Sequence, residues 1–144
     1  MSEGANDLLE FFENGEHRLV HKWMHYFEIY DRHFRRFRGR SPRVLEFGVF
    51  HGGSLQMWRR FLGPHARIVG IDIRPDCAAF TEDQIEIRIG DQSDPLFLAS
   101  LLEEFGPPDI VLDDGSHIQE HLVATFAYLY PRTDRNGVYF VEDL

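Results

Sequence analysis

From residue 43 onward the chain alternates short β-branched runs with stretches of helical periodicity, and that alternation restricts it to parallel βαβ units in one open sheet. The runs predict strands at 43–47, 67–71, 85–89, 109–112 and 138–141, with helices between them at 54–61, 76–80, 95–105 and 117–130. In the third run Ile85, Ile87 and Ile89 alternate with Glu86 and Arg88, the pattern of a strand buried on one face only, so it belongs at a sheet edge. The remaining runs are apolar throughout, as central strands are. Asp94 before Pro95 predicts an N-cap with proline at the first helical position, and Ser116 with Gln119 predicts a capping box. The fold class is therefore α/β: an open, mostly parallel sheet with helices on both faces.

The first forty residues read differently. A short helix is expected at 7–13, stopped by Asn14 and Gly15, and a long one at 16–38, in which Leu19, Trp23, Phe27, Tyr30, Phe34 and Phe37 recur at steps of three and four before Gly39 closes it. The division is an N-terminal helical segment, 1–40, and an α/β domain, 41–144. With 144 residues, 43% of them hydrophobic, a single packed core is expected, and the formal charge of -9 argues against a general nucleic-acid binder. No apolar run approaches the roughly 18 residues a membrane span requires, and the N-terminus is acidic where a secretory signal is basic and then apolar. The single cysteine, Cys77, leaves no internal disulfide. A cytoplasmic protein with no membrane contact is the expectation.

In open α/β sheets ligands sit beyond the carboxyl ends of the strands, where the strand order reverses. After the first strand runs Glu46-Phe47-Gly48-Val49-Phe50-His51-Gly52-Gly53-Ser54, whose glycines permit a tight turn into a helix and leave room for an approaching ligand. Asp72 ends the second strand, 24 residues beyond Gly48, where a carboxylate accepts both hydroxyls of a ribose in nucleoside-binding folds. Gly90-Asp91-Gln92 follows the third, a polar set able to border an adenine edge. Asp113, Asp114 and His117 follow the fourth, and Glu142 and Asp143 the fifth. Adjacent carboxylates held close require a cation or a proton to relieve their repulsion. With strands four and five as neighbours, Asp113, Glu142 and Asp143 are expected to converge on a hard cation such as Mg2+ or Mn2+.

Taken together, Glu46-x-Gly48-x-x-x-Gly52-Gly53-Ser54, Asp72, Gly90-Asp91-Gln92, Asp113-Asp114-Gly115-Ser116-His117 and Gly137-Val138-Tyr139-Phe140-Val141-Glu142-Asp143 resemble the class I S-adenosylmethionine-dependent methyltransferases, most closely the metal-dependent macrolide sugar O-methyltransferases. The resemblance covers 43–144, and it implies that the open α/β sheet is Rossmann-like, mostly parallel, with strand order 3-2-1-4-5 and helices on both faces. It implies that Gly48 to Ser54, with Phe50 and Glu46, hold the methionine part of S-adenosylmethionine, that Asp72 binds the ribose, that Asp91 and Gln92 flank the adenine, and that Asp114 also borders the cofactor. It further implies a metal on Asp113, Glu142 and Asp143 that orients a hydroxyl of a small acceptor, a sugar or another natural product. His117 is the candidate general base, its alternative a surface residue at a helix start.

In the macrolide sugar enzymes a histidine base follows the acidic pair of strand five, and two further strands wall the acceptor pocket. This chain stops at Leu144, so it is expected to be truncated after its fifth strand. Two other readings stay open: a nicotinamide-dependent oxidoreductase, against which the missing Gly-x-Gly-x-x-Gly speaks, and a non-catalytic cofactor-binding module that pairs with a second copy through an unpaired fifth strand. The arginines from Arg32 to Arg43 read either as a solvated helix face or as a dock for an anionic acceptor.

Overall fold

The computed structural model describes residues 3–15, 17–20 and 22–143, except for the side chain of Ala5. Five parallel strands, β1 (Arg43–Phe47), β2 (Arg67–Asp72), β3 (Ile85–Ile89), β4 (Ile110–Asp113) and β5 (Val138–Val141), form one sheet of order β3-β2-β1-β4-β5. The β-branched runs thus became strands, and the alternating run lies at the edge as expected.

Strand period 2 then divides the side chains between two layers. Val44, Ile68, Ile110 and Leu112 point to one face, where α3 (Gly53–Leu62) and the N-terminal helices α1 (Glu3–Asn14) and α2 (Tyr26–Phe34) cover them. Leu45, Phe47, Val69, Ile71 and Val111 point to the other, under α4 (Pro95–Phe105) and α5 (Gln119–Leu129). Tyr30 and Phe34 of α2 pack edge-on against Trp58 of α3 and also meet Phe140 of β5, so the segment before residue 40 shares the core of the domain that follows.

Two local expectations fail. The long helix expected at 16–38 is broken: residues 17–20 and 22–25 are irregular, α2 starts only at Tyr26, and a 3-10 turn, Arg35–Phe37, completes the segment (Glu16 and His21 lie outside the described residues). Tertiary bonds replace the helical ones there, since the Arg18 amide donates to Gln56 Oε1 of α3 at 2.7 Å. A Cβ on Gly53 would run into the carbonyls of Arg18 and Leu19, so this glycine is what lets the strap lie on the first turn of α3. The second failure is the capping box. His117 takes a left-handed backbone (φ 60°), which delays α5 to Gln119, and Ser116 Oγ instead accepts from the Ile118 amide and meets His121 Nδ1 at 2.9 Å. At α4 Asp94 caps as expected, accepting from the Leu96 amide at 2.9 Å ahead of Pro95.

Candidate functional site

The carboxyl end of the sheet opens into two adjoining cavities, of about 890 and 310 Å³, which share Gly48, Asp72, Arg74 and Gly115. Gly48 sits on the dividing wall with φ 95°, and any Cβ there would collide with the carbonyl of Asp114; β1 and β4 approach so closely only because the residue is glycine. Gly52, also left-handed at φ 81°, starts α3 as its N-cap. Phe50, half exposed with φ 56°, lines the larger cavity.

Asp72 ends β2 facing both cavities. Its Oδ2 accepts from the Val49 amide at 2.9 Å and its Oδ1 from the Arg74 amide at 3.0 Å, which ties the glycine loop to the acid and leaves further lone pairs toward the cavities. In the smaller cavity Asp91 accepts from the Ser93 amide and hydroxyl, which hold its carboxyl below the usual range. Gln92 is buried; its Nε2 donates to both oxygens of Asp113 and to Thr125, and its Oε1 accepts from the Ser116 amide.

Strand parity sorts the acids. Asp113 lies on the α4–α5 face, fully buried against Gln92 and Thr125, and burial raises its carboxyl above the usual range. It does not join Glu142 and Asp143, contrary to expectation, because alternation turns it to the opposite side of the sheet. Asp113 pairs with Val141 in the β4–β5 register, so the next residues, Asp114 and Glu142, come to lie side by side. Both face the α2–α3 side, as does Glu46, two residues before Gly48. Glu46 is fully buried and accepts from Ser54 Oγ and from Trp58 Nε1, the latter at 2.6 Å.

The acids that share a wall of the larger cavity are therefore Asp114, Glu142 and Asp143. Asp114, His117 and Asp143 each place one ligand atom within 4.8 Å of the others', and His117 Nε2 lies 3.5 Å from Asp114 Oδ1. Asp143, with φ 58°, takes two hydrogen bonds on the same oxygen, from Trp23 Nε1 at 3.1 Å and from the Tyr26 hydroxyl at 3.0 Å. Glu142, 3% exposed, accepts from the Tyr30 hydroxyl and from Lys22 Nζ at 2.5 Å. Burial first, then the charge of Glu46, lifts its carboxyl to about 7 against the opposing pull of Lys22.

Reading the sequence alone missed Lys22, Trp23 and Tyr26, which all fall within the helix expected at 16–38. Of these, Lys22 carried a signal, as the one cation breaking an apolar and aromatic run. It also paired the wrong aspartate of Asp113-Asp114 with β5, although the shared parity of Leu112, Phe140, Asp114 and Glu142 was there to be counted.

No family model matches the chain. Over 136 residues, 88% of its length, it is 43% identical to the demethylmacrocin O-methyltransferase of Streptomyces fradiae, of which it covers 34%. It is likewise 43% identical over 130 residues to the mycinamicin VI 2''-O-methyltransferase of Micromonospora griseorubida, covering 32% of that protein. Among solved structures, the MycE methyltransferase of the mycinamycin biosynthetic pathway in complex with Mg, SAH and mycinamycin VI superposes with a TM-score of 0.83 at 36% identity, over 99% of this chain and 37% of that one. The chain thus spans about a third of the length of these three proteins.

Proposed function

We infer function from one premise: the chain has the class I S-adenosylmethionine-dependent methyltransferase fold and is related to the macrolide sugar O-methyltransferases. On that premise the protein transfers a methyl group from S-adenosylmethionine to a hydroxyl of a sugar-bearing natural product, with a divalent cation, Mg2+ or Mn2+, beside the acceptor.

The observation that carries this reading is the adjacency of two half-sites in one cleft: the Gly48 loop with Asp72 on one side and the Asp114–His117–Asp143 group on the other. Asp72 and Phe50 border the room for a nucleoside and its methionine arm, while Asp91 and Gln92 line the smaller cavity where a base fits. Glu46 and Ser54 brace the loop from beneath. A hard cation takes oxygen ligands, and the carboxylates of Asp114, Glu142 and Asp143 are the residues to hold it, in place of a set built on Asp113. A cation so held would lower the pKa of an acceptor hydroxyl. His117, 43% exposed at the cavity wall and steadied by Asp114, is placed to take the hydroxyl proton as the oxygen attacks the methyl group. The attack itself demands mainly alignment.

The test is a calorimetric titration with S-adenosylmethionine, with and without Mg2+, on the wild type, Asp72→Ala and Asp72→Asn, with NAD+ as a control ligand. Losing a charge-assisted pair to a ribose is worth about 1.5–3 kcal/mol, so binding is expected to weaken on the order of 10- to 100-fold in both variants. NAD+ binding of equal strength would overturn the reading in favour of an oxidoreductase.

A further inference from the structure

The acid cluster already contains a cation, and the chain supplies it. Lys22 Nζ lies 2.5 Å from Glu142, 3.0 Å from Asp114 and 3.7 Å from Glu46, so a single ammonium spans acids at the ends of three strands. Its side chain is 3% exposed. The ammonium donates to Asp114 and Glu142 and has the charge of Glu46 beside it, which accounts for a lysine buried at this depth.

Lys22 is carried by the irregular strap, not by a helix or strand of the sheet. On one side of it the strap is fastened to α3 through Arg18 and the bare Cα of Gly53. On the other it is fastened to Asp143 through Trp23 and Tyr26. Two of the three acids that hold Lys22, Asp114 and Glu142, are the same ones placed to hold a divalent cation. One pair of carboxylates cannot satisfy an ammonium at hydrogen-bond distance and a divalent ion together without forcing the two positive charges against each other.

We propose that Lys22 is a tethered cation that occupies Glu142 and Asp114 until a divalent metal replaces it, so that metal binding and release of the strap are one equilibrium. The proposal rests on the metal reading above. It gives the strap a function: the segment that lines the acceptor side of the cavity is held down in the metal-free protein and freed when the metal arrives.

The experiment is a Mn2+ titration of this chain followed by electron paramagnetic resonance, on the wild type, Lys22→Met, Lys22→Gln and Lys22→Arg, with Asp143→Asn as the control for the metal site. Both neutral variants are expected to bind Mn2+ at least 10-fold more tightly than the wild type, and Lys22→Arg no more tightly. Tryptic cleavage after Arg18 is expected to speed up when Mn2+ is added to the wild type and to be fast without metal in Lys22→Met. A folded Lys22→Met that binds Mn2+ equally or more weakly would overturn the proposal and make Lys22 a support for the carboxylates. A Lys22→Met that is unfolded without metal and is not restored by Mg2+ would overturn it as well, since a competitor's place is one the metal can fill. If the wild type binds S-adenosylmethionine but no variant binds Mn2+, the metal reading falls and takes the proposal with it. If S-adenosylmethionine also fails to bind, the fault lies with the cofactor reading instead.

Discussion

Glu142 shows how one side chain records the electrostatics of the whole site. Its carboxyl is lifted to about 7 by burial and by the neighbouring Glu46, and is only partly relieved by Lys22 and Tyr30. A carboxyl that holds its proton more tightly folded than unfolded stabilises the fold below its unfolded value near 4.5 and loses that contribution as pH rises toward 7. The contribution is at most about 3 kcal/mol for a displacement of this size. Urea midpoints measured at pH 4.5 and pH 7.5 should therefore show Glu142→Gln gaining on the wild type as pH rises, and no change in their difference would show that Glu142 titrates normally. Asp113, lifted by its own burial, acts in the same direction and stays in both proteins, so the difference isolates Glu142. Lys22 is the reverse case: burial would push its ammonium down, but three carboxylates outweigh it and hold it above the ordinary lysine range.

Among the elements, α4 and the strap mark the two extremes of local determination. Asp94 and Pro95 fix the start of α4 through bonds that span only two residues. Asp94→Ala should cost about 1 kcal/mol, read as a shift in the denaturation midpoint with the slope unchanged, and a neutral result would show that packing alone sets this boundary. The strap has helical spacing and no helix, because its amide and ammonium find partners 38 to 120 positions away in Gln56, Asp114 and Glu142. The start of α5 falls between these cases: the left-handed turn at His117 displaces the capping residues and sets the imidazole beside Asp114.

For the molecule as a whole, the strand order places the switch point between β1 and β4, and the two cavities lie there. No helix among the described residues is long and apolar enough to cross a membrane. Among the described residues β5 pairs with β4 alone, and beside it Phe126, Tyr130 and Tyr139 form an aromatic layer in which Phe126 and Tyr130 are exposed.

Sequence alone was sufficient for the strands, the glycine turn after β1 and the cap of α4, since each depends on period, turn chemistry or neighbours close along the chain. It also brought the acids of β4 and β5 to one end of the sheet. Which of them share a wall was decided by register: Asp113 and Asp114 differ by one residue in sequence and by the whole thickness of the sheet in space. The place of Lys22 was decided by tertiary structure alone, because no carboxylate lies within a helical turn of it along the chain and those that satisfy its ammonium are brought from β1 and the ends of β4 and β5.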